Sequence, residues 1–341
     1  MQDKLVVYGN ITVDRVIEKK GRKPVLKGHS PGGAINVAHY LKELTNRDQV
    51  LLVSNIGDDD YASMYIEPEL EKMNDNYVQR VKNGKTRLYQ VDITKPTRPS
   101  ITRLEEARGL MDTPYRNITP VLPSVSTIHF QSYATIFENK YRDGLIELIR
   151  KIHEMNIPVN LDWNKRKYVE SKETLSIQKK ILDVLDTLKM NESEAKSLVE
   201  PKEGKTEKIR LRSRELERLA DEIMDNYTVK RVVITLSDRG SYVQTRGMNL
   251  RFDALKPLII MDTTGTGDAV SAAYGCERIK NLDEIETGVL SQILGCLAVE
   301  NMFSFPNSIK KTVIRQYIIN RHDYCKKYKV EFTGLLKKLG L

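Results

Sequence analysis

The sequence predicts an α/β protein with a doubly wound, mostly parallel sheet flanked by helices and a small β-sheet lid. Short runs of β-branched residues alternate with amphipathic helical segments along the chain, as in parallel strands joined by crossover helices. A stretch at about 78–110 instead alternates polar and apolar residues, as antiparallel strands do when one face meets solvent. With 341 residues and 40% hydrophobic content, the chain can form a large core.

The strands predicted for the main sheet are short apolar runs with many β-branched residues. They are residues 5–11, 50–56, 127–130, 157–161, 187–190 and 232–236. Between these runs, apolar residues recur every three or four positions, which predicts helices. The clearest predicted helices are residues 34–44, 141–155 and 214–227.

We expect residues 1–341 to form a single domain. Two segments interrupt its alternation of strands and helices: a turn-rich stretch at about 14–30 and the alternating stretch at about 78–110. Together they are predicted to form the lid, which would cover a ligand site. Exposed strands at the edge of a lid can pair with a second copy of the chain, so a homodimer through the lid is a further expectation.

The charge balance favours a strongly solvated surface, of the kind found in thermophiles, over a nucleic-acid-binding one. The 55 basic residues are interspersed with 46 acidic ones, so the formal net charge of +9 forms no basic tail. Three cysteines lie far apart without metal-ligand spacing, which indicates a reducing compartment. No apolar run has the length of a signal-peptide core or a membrane span. We therefore expect a cytoplasmic protein with a small-molecule ligand and neither a nucleic-acid nor a membrane partner.

The most informative motif is Asp-Thr-Thr-Gly-Thr-Gly-Asp at residues 262–268, followed by a run of small residues. A glycine-rich turn that opens a helix directs backbone N–H groups at an anion, and the helix dipole adds positive charge. Gly265, Thr266 and Gly267 are therefore candidates for an anion site. Asp268 ends the turn, where a carboxylate can take a proton from a hydroxyl that attacks a bound phosphoryl group.

A second glycine pair precedes the helix predicted at 34–44. Gly33 lets a polar ligand approach the backbone closely, and Asn36 offers both hydrogen-bond donors and acceptors. Asp14 follows the first predicted strand. Residues that leave the carboxyl ends of parallel strands converge on one crevice, so these three residues are candidates for binding a polyhydroxylated ligand.

Taken in order, these motifs resemble the ribokinase-like (PfkB) family of carbohydrate and nucleoside kinases over roughly residues 5–305. Asn-Glu-Ser-Glu at 191–194 is similar to the family's Asn-x-x-Glu element, and residues 235–240 are similar to its Thr-Leu-Gly-x-x-Gly nucleotide loop. Residues 57–60 and 162–166 resemble two further family segments. Thr266 and Ser237 depart from the family pattern, which has a small residue and a glycine at these positions.

The resemblance implies a kinase that transfers the γ-phosphoryl group of ATP to a hydroxyl, often a hydroxymethyl, of a small sugar, sugar derivative or polyol. It implies that Asp268 is the general base and that the backbone amides of 265–268, which include Gly265, Thr266 and Gly267, form the anion hole. It implies that Asp14, Gly33 and Asn36 bind the acceptor.

The resemblance also implies roles for residues on the nucleotide side. Asn191, Thr235, Ser237 and Gly240 would bind the nucleotide. Glu194, with Asn191, would order the phosphates of magnesium-ATP, with Mg²⁺ held through water. Some relatives also use a monovalent cation, for which the corresponding positions are Asp262 and Thr264.

The acceptor and the donor stay open. Basic side chains in the predicted lid would suit a phosphorylated or carboxylated sugar; they are Arg87, Lys95, Arg98, Arg103 and Arg108. Three aromatic residues, Tyr89, Phe130 and Tyr133, would instead suit a nucleobase, so a nucleoside kinase is the first alternative. A neutral sugar or polyol is equally open, as is ADP as the donor. An alternative of another class is a regulatory or binding protein that keeps the kinase fold without turnover.

Overall fold

The computed structural model describes residues 3–21, 23–73, 77–97, 99–105, 115–137, 141–164, 167–168, 172–201, 204–205, 209–301 and 310–341. The described strands are, in chain order, β1 Lys4–Tyr8, β2 Ile11–Lys20, β3 Lys23–Gly33, β4 Val50–Ile56, β5 Val78–Arg80, β6 Arg87–Asp92, β7 Ser100–Glu105, β8 Val125–Phe130, β9 Val159–Asp162, β10 Lys167–Tyr168, β11 Thr187–Asn191, β12 Gly204–Lys205, β13 Arg231–Thr235, β14 Ser241–Thr245 and β15 Met248–Phe252.

The main sheet has nine strands in the order β15-β14-β13-β11-β9-β8-β1-β4-β5. All neighbours from β5 to β13 run parallel, whereas β14 and β15 complete one edge as an antiparallel hairpin. The strand order reverses around β1, so the sheet is doubly wound. The predicted fold class is confirmed.

Helices flank both faces of this sheet. The described α-helices are α1 Ala34–Leu44, α2 Glu67–Leu70, α3 Tyr133–Phe137, α4 Arg142–Glu154, α5 Lys172–Leu182, α6 Glu192–Val199, α7 Ser213–Asn226, α8 Thr266–Lys280, α9 Glu284–Val299, α10 Lys311–Asn320, α11 His322–Lys327 and α12 Phe332–Leu339. Helical segments of 3₁₀ type lie at Arg47–Gln49, Tyr115–Ser124 and Ser237–Arg239, and one of π type lies at Ala62–Ile66.

Alternation along the central strands divides the core into two layers. In β1, Leu5 and Val7 belong to the cluster that includes buried residues of α1, α8 and α9, whereas Val6 and Tyr8 belong to the cluster with α4 and α7. Successive side chains of a strand point to opposite faces, so a strand with helices on both faces is apolar throughout. This explains the continuous apolar runs of the sequence.

The small sheet has four strands in the order β3-β2-β6-β7. The pairs β2–β3 and β6–β7 are antiparallel, and β2–β6 is parallel. In a second small sheet, β10 pairs antiparallel with β12, so that Lys167 lies opposite Lys205 and Tyr168 opposite Gly204.

Three details of the predicted elements were wrong. The run at 5–11 is not one strand, because Gly9 and Asn10 separate β1 in the main sheet from β2 in the small one. The stretch at 14–30 is not a series of turns but most of the β2–β3 hairpin, whose ladder outweighs its local turn propensity. Residues 78–80 pair with β4 in the main sheet, so within 78–110 the small sheet contains β6 and β7, and 106–110 lie outside the described residues.

In the part of the chain that the structure describes, none of the helices combines the length and the apolar composition needed to cross a membrane.

Candidate active site

Five polar side chains meet where the central strands of the main sheet end. Asp162 is the last residue of β9, Lys189 lies in β11, and Gln131 directly follows β8. Asn36 and Asp268 lie in the first turns of α1 and α8. The carboxyl ends of parallel strands share one edge of a sheet, so the topology brings these residues from five segments of the chain to one place.

The loop that precedes α8 is held in shape by its own side chains. Asp262 Oδ1 accepts hydrogen bonds from the backbone N–H (2.9 Å) and the hydroxyl (2.7 Å) of Thr264, and Thr266 Oγ1 donates to the Thr263 carbonyl at 2.9 Å. Gly265 is the N-cap of α8 with a left-handed φ of 74°, which favours glycine. No side chain in the described ranges caps α8, so its first N–H groups can bind an anion at the positive end of the dipole.

Asp268 is oriented by two amide side chains. Asn36 Nδ2 donates to Asp268 Oδ2 at 2.8 Å, and Gln131 Nε2 donates to Asp268 Oδ1 at 2.5 Å. Burial is the main cause that raises the pKa of Asp268 to about 6, with a smaller contribution from the Asp162 carboxylate; the two amide donors and the Lys189 ammonium act in the opposite direction. Asp268 is therefore mostly ionised at neutral pH yet more basic than an exposed aspartate, which suits a general base.

A buried ion pair lies beneath the first turn of α8. Lys189 Nζ donates to Asp162 Oδ2 at 2.6 Å, and the two side chains are only 7% and 9% exposed. A Cβ added to Gly267 would lie 3.2 Å from Lys189 Nζ, so the glycine allows the ammonium to contact the helix N-terminus. The lysine thus adds positive charge where an anion would bind.

Sequence reasoning missed Gln131 and Lys189 as site residues, and it named Asp162 only as part of a family-like segment. Two signals were present. Gln131 follows the apolar run at 127–130 directly, which places it at the carboxyl end of a central strand. Lys189 is a lysine within a buried apolar strand, and buried lysines require a charged partner.

The predicted acceptor residues lie on the same side of the sheet. Gly33 has a φ of 73°, and a Cβ there would collide with the carbonyl oxygen of Asn10. A Cβ on the neighbouring Gly32 would lie 2.9 Å from Asp14 Oδ2, so the Asp14 carboxylate stands over the glycine pair. Asn36 follows in the first turn of α1 and bonds to the candidate base. The structure thus groups these residues around the entrance to α1, with Asp14 contributed by the small sheet.

The predicted nucleotide residues lie at the ends of two adjacent strands. Asn191 in β11 pairs in register with Thr235 in β13. Asn191 and Glu194 form a capping box on α6, in which Asn191 Oδ1 accepts from the Glu194 N–H and Glu194 Oε2 accepts from the Asn191 N–H, both at 2.9 Å. Ser237 (φ 55°) and Gly240 (φ 91°) bound the turn between β13 and β14. The structure therefore gives Asn191 and Glu194 a local structural role besides any contact with a nucleotide.

In the described part of the chain, the side chains that could bind a cation are separate from one another and do not form a cluster. In the described ranges, no three His, Cys, Asp or Glu side chains group as a metal site. Asp262 is 1% exposed, and its Oδ2 has no hydrogen-bond partner within the described structure. A buried, unpaired carboxylate oxygen is costly unless a positive charge neutralises it, so this atom fits a cation. Glu194 is a second buried carboxylate, 6% exposed, at the same edge of the sheet.

One known sequence family matches most of this chain. The family described as pfkB family carbohydrate kinase matches residues 2–302. A comparison with curated proteins finds no match.

Comparison with solved structures shows the same fold in kinases of different names. A ribokinase of Arabidopsis thaliana, complexed with ribose and ATP, aligns with a TM-score of 0.68 and 18% identity over 100% of both chains. A fructokinase of Xylella fastidiosa with bound ATP aligns with a TM-score of 0.73 and 14% identity over 94% of this chain and 100% of that one. A nucleoside kinase of Burkholderia thailandensis in complex with inosine aligns with a TM-score of 0.66 and 14% identity over 96% and 98%.

Proposed function

Because this chain belongs to the pfkB family of carbohydrate kinases, we propose that it transfers the γ-phosphoryl group of ATP to a hydroxyl group of a small sugar, sugar derivative or polyol. Family membership makes the protein a phosphotransferase that acts on hydroxyl groups. The observation that carries the finer proposal is the setting of Asp268. This carboxylate stands in the first turn of α8, beside the glycine loop, and is fixed by the amides of Asn36 and Gln131.

In this proposal Asp268 is the general base. The two amide donors hold its oxygens in place, so that one lone pair can accept the proton of the acceptor hydroxyl. As that proton moves to Asp268, the acceptor oxygen bonds to the γ-phosphorus, and the bond from the γ-phosphorus to the bridging oxygen breaks to release ADP. A pKa raised to about 6 by burial keeps the base ionised near neutral pH but strengthens its attraction for the proton.

The charge of the transferred group would be met by the start of α8. The backbone amides of 265–268, the helix dipole and the Lys189 ammonium all place positive charge there. Thr263 Oγ1 also donates to the Pro96 carbonyl at 3.1 Å, which ties this loop to the segment between β6 and β7. The lid and the anion loop are thus in direct contact, so closure of the lid would shield the reacting groups from water.

The nucleotide would occupy the edge formed by β11 and β13. Asn191, Thr235, Ser237 and Gly240 line that edge. Glu194 with Asn191 would hold Mg²⁺ through water, and the ion supplies neutralisation of phosphate charge when bound. Asp262, through its unpaired buried oxygen, and Thr264 would hold a monovalent cation next to the anion loop.

ATP is the better supported donor. The Arabidopsis ribokinase and the Xylella fructokinase, which share this fold, were each solved with ATP. The nucleoside alternative has support from the Burkholderia enzyme in complex with inosine. Two of the aromatic residues proposed to stack on a base are engaged elsewhere, however. Phe130 and Tyr133 are buried in the core against Tyr8 and Trp163, which leaves Tyr89 as the aromatic candidate.

A homodimer through the lid stays part of the proposal. The outer strands β3 and β7 expose apolar side chains: Val25, Leu26, Ile101 and Leu104 are 37%, 48%, 40% and 41% exposed. Pairing with a second lid would cover these residues. Sedimentation velocity at high protein concentration tests this, and a monomer under those conditions would contradict it.

The test is ADP release from magnesium-ATP with a panel of sugars, sugar acids, sugar phosphates, polyols and nucleosides. Asp268→Asn should fold and bind ATP but lose about 10²- to 10⁴-fold in turnover, the usual contribution of a general base. Asp143→Asn, a change of the same kind at a side chain that is 92% exposed, is the matched control and should keep full activity. Unchanged turnover in Asp268→Asn would remove Asp268 from the mechanism. ATP binding without turnover on any acceptor would favour the non-catalytic alternative, and turnover with ADP but not ATP would reassign the donor.

A further inference from the structure

We propose that the acceptor carries an anionic group, a carboxylate or a phosphate, and that Arg87 and Arg103 of the small sheet bind it. The proposal rests on the kinase function proposed above and narrows its substrate class. It follows from strand register, which places both arginines on the same face of the sheet as Asp14.

The register defines a row of side chains across all four strands. Asp14 in β2 pairs with Ser30 in β3 and with Tyr89 in β6, and Tyr89 pairs with Arg103 in β7. Directly paired residues project from the same face of a sheet. Ser30, Asp14, Tyr89 and Arg103 therefore stand side by side on one face.

The adjacent row of that face contains the second arginine. Thr12 in β2 pairs with Gly32 in β3 and with Arg87 in β6. Because side chains alternate with a period of two residues, this row and the Asp14 row lie on the same face. Adjacent strands are roughly 5 Å apart, so Arg87 lies about one strand spacing and Arg103 about two from β2. Both distances are within the reach of an arginine side chain and a six-carbon acceptor.

This face is the one that meets the acceptor site. A Cβ on Gly32 would contact both Thr12 Oγ1 and Asp14 Oδ2, and Gly33 and Asn36 continue from there to Asp268. The opposite face packs against the main domain, where the His29 ring stacks on Tyr65 with centroids 4.6 Å apart.

The next row shows that the face is not a general solvent surface. Val16 and Val91 pair across β2 and β6 and are 2% and 0% exposed. Arg87 and Tyr89 are half-buried, and Arg103 is exposed. The two polar rows thus lie between Gly33 on one side and the buried Val16–Val91 pair on the other, where they can border a ligand.

The chemistry of these side chains suits an anion. Both arginines already make contacts within the protein, but a guanidinium has five N–H donors and can serve a ligand as well. Arginine binds carboxylates and phosphates with paired hydrogen bonds. Arg87 and Arg103 share this face with Asp14, so the face offers guanidinium donors for an anionic group beside a carboxylate that can accept from hydroxyls.

The test compares acceptors matched in carbon skeleton, with Mg-ATP and ADP release as the readout. The pairs are D-gluconate with D-glucitol, D-ribonate with D-ribitol, and D-fructose 6-phosphate with D-fructose. We expect the anionic member of at least one pair to have a kcat/KM at least tenfold above that of its neutral partner. The pairs with gluconate and ribonate report a carboxylate, and the fructose 6-phosphate pair reports a phosphate.

Substitution of each arginine tests whether that side chain binds the anionic group of the acceptor. Arg103→Gln and Arg87→Gln should each raise KM for the anionic acceptor by about 10- to 100-fold, the loss expected for a hydrogen bond to a charged group, with a much smaller change in kcat. Arg15→Gln is the matched control. Arg15 lies in β2 of the same sheet but pairs with His29 and Gln90, so it stands on the opposite face and should have no effect on either constant.

Binding measurements separate this proposal from the kinase proposal. Calorimetric titration of the same acceptors, with a non-hydrolysable ATP analogue present, reports preference without turnover. Preferential binding of anionic members that Arg103→Gln abolishes supports the proposal even if ADP release fails. Equal binding of charged and neutral members, or a preference that survives both arginine substitutions, overturns it while leaving the kinase function intact.

Discussion

Removal of the Gln131 amide should move the acid limb of the pH–rate profile to higher pH. Gln131 Nε2 donates to Asp268 Oδ1 at 2.5 Å and is one of the groups that oppose the effect of burial on the Asp268 pKa, which is about 6. A hydrogen bond to a charged group is worth about 1.5–3 kcal/mol, and 1.36 kcal/mol corresponds to one pKa unit. Gln131→Leu should therefore raise the pKa of Asp268 by about 1–2 units.

The sign follows from the proposed role of Asp268 as the general base. Below its pKa, Asp268 is protonated and cannot accept a proton, so kcat/KM falls as pH decreases through that value. We expect the acid limb at about pH 6 in the unmodified protein and, from the same hydrogen-bond magnitude, at about pH 7–8 in Gln131→Leu. Gln131 Oε1 also contacts His129 Nε2 at 3.1 Å. Burial lowers the pKa of His129 to about 4, so this histidine stays neutral in that range and adds no titration of its own.

The assay is kcat/KM for the acceptor between pH 5 and 9 at saturating magnesium-ATP. The nucleotide titrates identically in every sample, so the difference between two profiles reports the protein. Thr127→Val is the matched control, because Thr127 is buried in β8 and its hydroxyl has no hydrogen-bond partner within the described structure. Profiles of Gln131→Leu and Thr127→Val that coincide, or a shift of the Gln131→Leu limb to lower pH, would refute the reasoning.

Two further substitutions test the groups that support the site. Lys189→Met should lower the free energy of unfolding, measured in urea, by about 3–5 kcal/mol, because it leaves the charge of the buried Asp162 carboxylate without its ammonium partner. Adding Asp162→Asn should restore part of this stability. If the double variant shows no recovery, packing rather than charge is responsible for the loss. Gly33→Ala should lower the free energy of unfolding by about 1–3 kcal/mol, because the φ of Gly33 is 73° and the new Cβ would collide with the Asn10 carbonyl. The control is Gly247→Ala, which has open space around the new Cβ and should leave stability unchanged. Equal stability of these two variants would contradict the strain argument.

The main sheet could be predicted from the sequence because its signal is local. Strands buried on both faces appear as continuous apolar runs, and such a run is recognisable without knowledge of its partners. The small sheet was harder to predict. Its hairpin at 14–30 contains glycine and proline, which locally favour turns, and the ladder that overrides them is formed with residues distant in the chain.

In the candidate site, too, the residues that lie in local sequence motifs could be predicted, and those whose role depends on distant segments could not. Asp268 and Asn36 could be predicted because each sits in a glycine motif that opens a helix, a pattern contained within a few residues. Gln131 and Lys189 were missed because their sequence signals place them in or after a central strand but do not name a partner. Their relation to Asp268 arises only when β8, β11 and α8 are brought together. Glu194 illustrates the reverse case: its pattern was recognised, but the capping box on α6 gives it a structural use that spacing alone does not separate from a ligand role.

The acceptor is expected to be determined by the small sheet rather than by the strand ends. A ribokinase, a fructokinase and a nucleoside kinase share this fold, so the fold does not fix the acceptor. Asp268 and Asn36 lie in helices packed into the core and are hydrogen-bonded to each other, so their positions are fixed by the main domain. Arg87, Tyr89 and Arg103 instead project from the small sheet, where Arg87 and Tyr89 are half-buried and Arg103 is exposed. Substitution of an exposed side chain such as Arg103 costs little in folding, so under the proposed function we expect this face to change with the acceptor while Asp268 and the 265–268 loop stay the same.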